Sequence, residues 1–246
     1  VVLLKKNYSV IGIDNINNYY STKYKQIRLK ELKQYKNFSF KKINLENRNE
    51  VLRFLHKKKI DSIFHFAAQA GVRYSQNFPE SYLNSNIYGF INILDASVKN
   101  NVKNIYYASS SSVYGDQKKY PVKENYELHP NNIYAKSKYL NELTAEFYSK
   151  RFNLNLVGLR LFTVYGKWGR PDMLLFVILK SYFLGKKFQL NNHGNHYRDF
   201  TYIDDVTNMI FLIFKKRTKY HNKIFNICSK NTIHIKKLIT NIKKLI

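Results

Sequence analysis

Cysteine is almost absent from this chain of 246 residues, Cys228 being the single example. One thiol excludes an internal disulfide framework and suits a reducing compartment, so a cytoplasmic protein is expected. Long apolar runs are missing too: "MLLFVILKSYF" is broken by Lys180 and too short to cross a bilayer. The opening "VVLLKKNYSV" lacks the apolar region and the small-residue cleavage site of a secretory signal. The histidines show no metal-ligand spacing, and single ones such as His65 are expected to fill strand positions, so no metal is expected. Acidic residues are scarce, 16 against 42 Lys and Arg, which leaves a formal charge of +26. A nucleic-acid partner would need those cations clustered on one face. They are scattered instead, in short groups at 57–59, 118–119, 215–217, 236–237 and 243–244, without zinc-finger spacing or an RNA-binding signature. A solvated basic surface is therefore favoured, with neither nucleic acid nor membrane as partner. The same positive field would favour a phosphate-bearing small molecule.

What is present is a chain with 44% apolar and 16% aromatic residues, enough for one sizeable core with or without a smaller lobe. β-rich runs at residues 8–14, 38–44, 61–68, 102–110 and 154–162 alternate with helical patterns at 22–35, 48–57, 79–99 and 131–152. That alternation implies a parallel sheet flanked by helices. "DSIFHFAA" runs almost continuously apolar, as a strand covered on both faces does. Beyond Gly166 the pattern loosens into a helix at 173–184, a strand at 198–203 and a helix from Asp204. The expected division is therefore 1–165 and a less regular lobe at 166–246 with interleaved elements.

The chemistry-bearing stretch is "YYASSSSVYG", in which four serines end a central strand. In open α/β sheets that edge is where ligands bind. "YAKSK" follows, with Tyr134 and Lys138 one helical turn apart on one face. A phenol is a poor base at neutral pH, and a neighbouring ammonium favours its ionised form. A strand-end hydroxyl beside that pair suits proton removal from an alcohol while a hydride leaves its carbon. An incidental Tyr/Lys pair on an exposed helix is the alternative, disfavoured once the serine run and "VYG" are considered together.

"SSSSVYG" followed by "YAKSK" resembles the extended short-chain dehydrogenase/reductases. "HFAAQAGVRYS", "LRLFTVYGKWGRPDM" and "RDFTYIDD" resemble, more narrowly, the NAD-dependent UDP-glucuronate 4-epimerases, over nearly the whole chain. The resemblance implies a Rossmann-like doubly wound parallel sheet, a smaller C-terminal substrate lobe, and NAD as cofactor. It makes Tyr134 the base, Lys138 its activating cation and the ribose contact, and Ser110 the hydroxyl partner. NAD would meet Asp14, Asn15, Asn44, Leu45, Phe66, Ala67, Ala68, Ala70, Asn86 and Phe162, besides Tyr134 and Lys138. For Asp14 the competing reading is an Asx turn in "DNINN". A UDP-sugar would meet Arg73, Ser111, Thr163, Arg170 and Arg198, with Arg170 gripping a C5 carboxylate; a surface ion pair is the alternative for Arg170 and Arg198. Ser111 and Ser112 stand where dehydratases of the superfamily carry Asp and Glu, so oxidation and hydride return are expected without elimination. The family's opening strand and glycine-rich turn are expected to be missing here, as is its C-terminal end. By the same resemblance, the helices at 79–99 and 131–152 are where two copies pair, so a homodimer is expected. A neutral UDP-hexose epimerase, a UDP-glucuronate decarboxylase and an inactive sugar-nucleotide-binding fragment remain as alternatives.

Overall fold

The computed structural model describes residues 1–117 and 119–245. Its elements run α1 (Val2–Lys5), β1 (Val10–Asp14), α2 (Thr22–Leu32), β2 (Phe38–Lys42), α3 (Arg48–Leu55) and β3 (Ser62–His65). Next come α4 (Tyr74–Asn77), α5 (Pro79–Tyr82), a π-helix (Leu83–Tyr88), α6 (Gly89–Lys99) and β4 (Asn104–Ser110). A 3-10 helix (Ser111–Tyr114), α7 (Ile133–Phe152), β5 (Asn155–Leu161), β6 (Thr163–Tyr165), α8 (Leu174–Phe183) and a second 3-10 segment (Asn191–Gly194) follow. The chain ends in β7 (Tyr197–Tyr202), α9 (Ile203–Lys215), β8 (Ile224–Ile227), β9 (Thr232–His234) and α10 (Ile235–Leu245).

Two compact units result, Val1–Leu161 with Phe211–Asn226, and Phe162–Ile210 with Ile227–Ile246. The division thus falls four residues before the expected one, and residues 211–226 return to the first unit.

In the first unit a sheet of order β3-β4-β5-β8 forms the centre, and β1 and β2 pair separately. The β1–β2, β3–β4 and β4–β5 pairs are all parallel. Residues Ile105 to Ser110 of β4 are buried throughout, as expected of a strand covered on both faces. On one side Phe90, Leu94, Ile105, Tyr107, Ala145, Leu154 and Leu156 form a core. A second cluster, Ile43, Leu45, Val51, Leu55, Ile93 and Ala96, seats α3 against α6. Each fully buried Leu, Ile or Phe in them contributes about 1.5–3 kcal/mol.

The run 79–99 was expected to be one long helix. It is interrupted by the π-helix at Leu83–Tyr88, whose wider turn carries Asn86. A π turn shifts side-chain register by one position, which apolar spacing alone does not reveal. α7 starts where Asn132 accepts a hydrogen bond from the Ala135 N–H at 2.9 Å, and stops at Asn153 in the left-handed region. The second unit holds a three-stranded sheet of order β6-β7-β9, parallel at β6–β7 and antiparallel at β7–β9.

Candidate active site

β4 delivers Ser109 and Ser110 at its C-terminal tip, and there the chain leaves the sheet. Ser111 and Ser112 were expected on the strand end; they form the 3-10 turn instead. Ser110 caps that turn, its Oγ accepting from the Ser112 N–H at 3.2 Å and lying 3.1 Å from Ser112 Oγ. Gly115 follows at φ +62, where an added Cβ would stand 2.0 Å from the His129 carbonyl oxygen. Only glycine allows that return.

Tyr134 and Lys138 lie on α7, one turn apart. Lys138 is 3% exposed, and its Nζ donates to the Ala108 carbonyl at 2.9 Å. Ala108 is two residues before Ser110 on β4, so the ammonium is held against the strand that carries the serine. Desolvation pulls the Lys138 pKa down from 10.5 to about 8. The half-buried Tyr134 packs edge-on to Tyr82, ring centres 6.2 Å apart. His65, buried and stacked on Phe90 at 5.1 Å, is neutral at physiological pH: desolvation, then the Lys138 charge, lowers its pKa to about 3. Among the described residues, no group of His, Cys, Asp or Glu could hold a metal ion.

Asn86 is the hub of a polar bracket. Its Oδ1 accepts from the Gln69 N–H at 2.7 Å, and its Nδ2 donates to the Gln69 carbonyl at 3.0 Å and to Ser137 Oγ at 2.9 Å. Ser137 Oγ donates to the Tyr134 carbonyl at 2.8 Å, and Asn141 Nδ2 to the Asn86 carbonyl at 2.7 Å. The π-helix thereby fixes the backbone of the loop after β3 and ties it to the first turns of α7.

Beneath the serines lies a buried charged network that sequence reasoning missed. Glu142 on α7 and Arg160 on β5 form an ion pair, Nη2 to Oε2 at 2.8 Å and Nε to Oε1 at 2.9 Å. Ser109 Oγ donates to Glu142 Oε1 at 2.5 Å. Arg160 Nη1 donates to the Tyr114 hydroxyl at 2.8 Å and to the Glu124 carbonyl at 2.9 Å. The Tyr114 hydroxyl in turn donates to Asn226 Oδ1 at 2.7 Å. Two signals pointed to it: an arginine inside the apolar run "LNLVGLRLF", and a glutamate four residues after Lys138.

Of the residues expected to meet the cofactor, those at 14–15, 44–45 and 66–70 lie at or just after the C-terminal ends of β1, β2 and β3 respectively. Asp14 ends β1, and its Oδ1 accepts from the Ile16 N–H at 2.6 Å, so the Asx turn weighed above is formed. Asn15 makes the next such turn, accepting from the Asn17 N–H at 3.1 Å. Asn44 follows β2 and is exposed, within 3.4 Å of Glu46, while Leu45 is buried in the core. Phe66 is exposed and Ala67, Ala68 and Ala70 are part-buried in the loop that Asn86 holds. Arg73 is exposed at the start of α4.

The second unit places Phe162 and Thr163 at the start of β6, with Thr163 opposite Phe200 of β7. Arg198 lies exposed on β7, facing Ile233. Arg170, expected to receive a substrate carboxylate, holds one already: Nε and Nη2 donate to the two oxygens of Asp172 at 3.0 and 3.2 Å. The ion pair ranked as the lesser reading for Arg170 is therefore present.

A parallel sheet ending in a serine turn, flanked by a helix bearing Tyr-x-x-x-Lys, defines an extended short-chain dehydrogenase/reductase. Residues 1–228 match the NAD dependent epimerase/dehydratase family, and the chain belongs to it. It is similar to Protein CapI of Staphylococcus aureus, 46% identical over 87% of this chain and 64% of that protein. It is similar to UDP-glucuronate 4-epimerase 4 of Arabidopsis thaliana, 38% identical over 96% of this chain and 58% of the other. The chain thus spans less than two thirds of these relatives. A solved UDP-glucuronic acid 4-epimerase from Bacillus cereus, in complex with UDP-glucuronic acid and NAD, superposes with a TM-score of 0.91. That match has 30% identity and covers 99% of this chain and 77% of the other.

Proposed function

We propose that this protein interconverts UDP-glucuronate and UDP-galacturonate by NAD-dependent epimerisation at C4. One observation carries the reading: a buried ammonium, Lys138, is fixed against the serine-bearing strand one turn from Tyr134. The residues present fit NAD at two points. The Asp14 carboxylate at a strand tip suits ribose hydroxyls. Lys138, out of bulk water, suits the nicotinamide ribose.

NAD held by these residues would supply the hydride acceptor and donor for C4, the hydride coming back to the opposite face of the carbon. Tyr134 takes the C4 hydroxyl proton and gives it back, and Lys138 favours the ionised phenol. Ser110 hydrogen-bonds the same sugar oxygen and relays the proton. Ser111 and Ser112 offer no carboxyl for elimination, which favours simple return. Arg170 grips the C5 carboxylate at two points, exchanging Asp172 for substrate. That grip holds the β-keto acid out of the alignment in which CO2 is lost. Leu140, Leu143 and Phe147 form an exposed apolar stripe on α7, which suits a homodimer through this helix.

The existing Arg170–Asp172 pair favours one other reading, a neutral UDP-hexose epimerase in which Arg170 is structural. Incubation with UDP-glucuronate or UDP-glucose and chromatography of the products separates the two. The expected result is UDP-galacturonate from the first only, abolished by Tyr134→Phe and strongly reduced by Arg170→Ala. Turnover of UDP-glucose with Arg170→Ala unimpaired would establish the neutral reading instead.

A further inference from the structure

Glu142 follows Lys138 by four residues and Tyr134 by eight, so all three share one face of α7. Its carboxylate is buried and accepts from Ser109 Oγ and twice from Arg160. Arg160 stands directly across from Ser109 in the β4–β5 register. Its remaining donors reach the Tyr114 hydroxyl and the Glu124 carbonyl. Ser109 precedes Ser110, and Tyr114 closes the 3-10 turn. Both ends of the segment 110–113, and the helix face opposite, therefore converge on one carboxylate–guanidinium pair.

Stability does not explain such a pair, because apolar residues of similar volume often hold a buried site equally well or better. A bidentate ion pair does something they cannot: it fixes distance and angle. We propose that Glu142 and Arg160 are positioning residues, whose pair sets the spacing between the Ser110 hydroxyl and the Tyr134–Lys138 face. The proposal rests on the epimerase reading above. A misplacement of about 1 Å in such a constellation costs on the order of 100-fold in rate.

The decisive variant is Glu142→Leu/Arg160→Met, which keeps volume and removes both charges; Glu142→Gln keeps the shape and removes one. Three readouts are needed: melting temperature, NAD affinity by calorimetry, and single-turnover sugar oxidation followed as NADH absorbance. The double variant is expected to melt near wild type and bind NAD like wild type. Its oxidation should be slower by roughly 100-fold with KM little changed, and Glu142→Gln should fall between. A well-folded double variant that oxidises at the wild-type rate overturns the proposal, as does a rate loss that only follows the unfolded fraction. If the wild type oxidises no sugar, the epimerase reading fails separately. Amide exchange then decides the pair's role: faster exchange at 109–114 in the double variant, with α6 unchanged, supports it, and unchanged exchange overturns it.

Discussion

Replacing Lys138 with Met should make the protein more stable and inactive. The side chain is 3% exposed, and its pKa lies at about 8 instead of 10.5. A lysine whose folded pKa is lowered costs stability wherever the unfolded chain still binds the proton. That cost is complete below about pH 8 and fades as pH rises to 10.5. The difference corresponds to about 3 kcal/mol of destabilisation at neutral pH. Methionine has similar length and no charge, but it removes the donor to the Ala108 carbonyl, a loss of about 1 kcal/mol. The net gain at pH 7 is then about 2 kcal/mol, or roughly 4–8 °C in melting temperature for a chain of this size. Urea unfolding of both proteins at pH 7 and pH 10 checks this, and the gain should largely vanish at pH 10. No gain at pH 7, or an equal gain at both, would show that burial of the ammonium is not costing stability. On the proposed function, epimerisation should be lost at every pH, because Tyr134 would lack the cation that favours its ionised form.

His65 predicts acid sensitivity of the opposite kind. Its folded pKa of about 3 against 6.5 means that stability is intact above 6.5 and is lost as pH falls below it. The penalty reaches about 2 kcal/mol near pH 5. His65→Phe should shift the acid unfolding midpoint downward, and an unmoved midpoint would refute the assignment. Gly115→Ala and Gly185→Ala place the same methyl at φ +62 and +60, but only the first meets a neighbour, the His129 carbonyl oxygen. The second should cost about 1 kcal/mol and the first at least about 3, measured by urea unfolding. Equal costs would mean that the turn relaxes freely.

The positions of Tyr134 and Lys138 one turn apart on α7, and of Ser110 at the tip of β4, were legible because each is a local feature: one helical turn, and the end of an apolar strand. The strands were legible for a similar reason, since an uninterrupted run such as 102–110 has few other homes. The π-helix was not. It inserts one residue into a turn without proline or glycine to announce it, and what holds it is tertiary, the Asn86 bonds to Gln69 and Ser137. Glu142 and Arg160 were visible as charges but not as partners, because a pairing between a helix and a strand is set by how α7 packs on the sheet. Arg170 is instructive differently. Its motif pointed to a carboxylate, and the structure pairs it with the nearest one in the chain, Asp172. β8, β9 and α10 escaped notice, the strands being only four and three residues long.

The charge distribution ties these points together. A chain with 42 basic residues can keep nearly all of them in water, yet Lys138 and Arg160 are among the buried ones. Both touch the last residues of β4, Lys138 through Ala108 and Arg160 through the Glu142 that Ser109 also meets. Packing alone would select apolar side chains at both places. Ions persist at a cost in stability where geometry or charge is needed for something else, and such departures gather at functional sites. Two cations are buried beside β4, and among the described residues only Arg160 of the two has a carboxylate partner. On the proposals made above, the pair orients the serine turn and the ammonium favours the ionised form of the Tyr134 phenol.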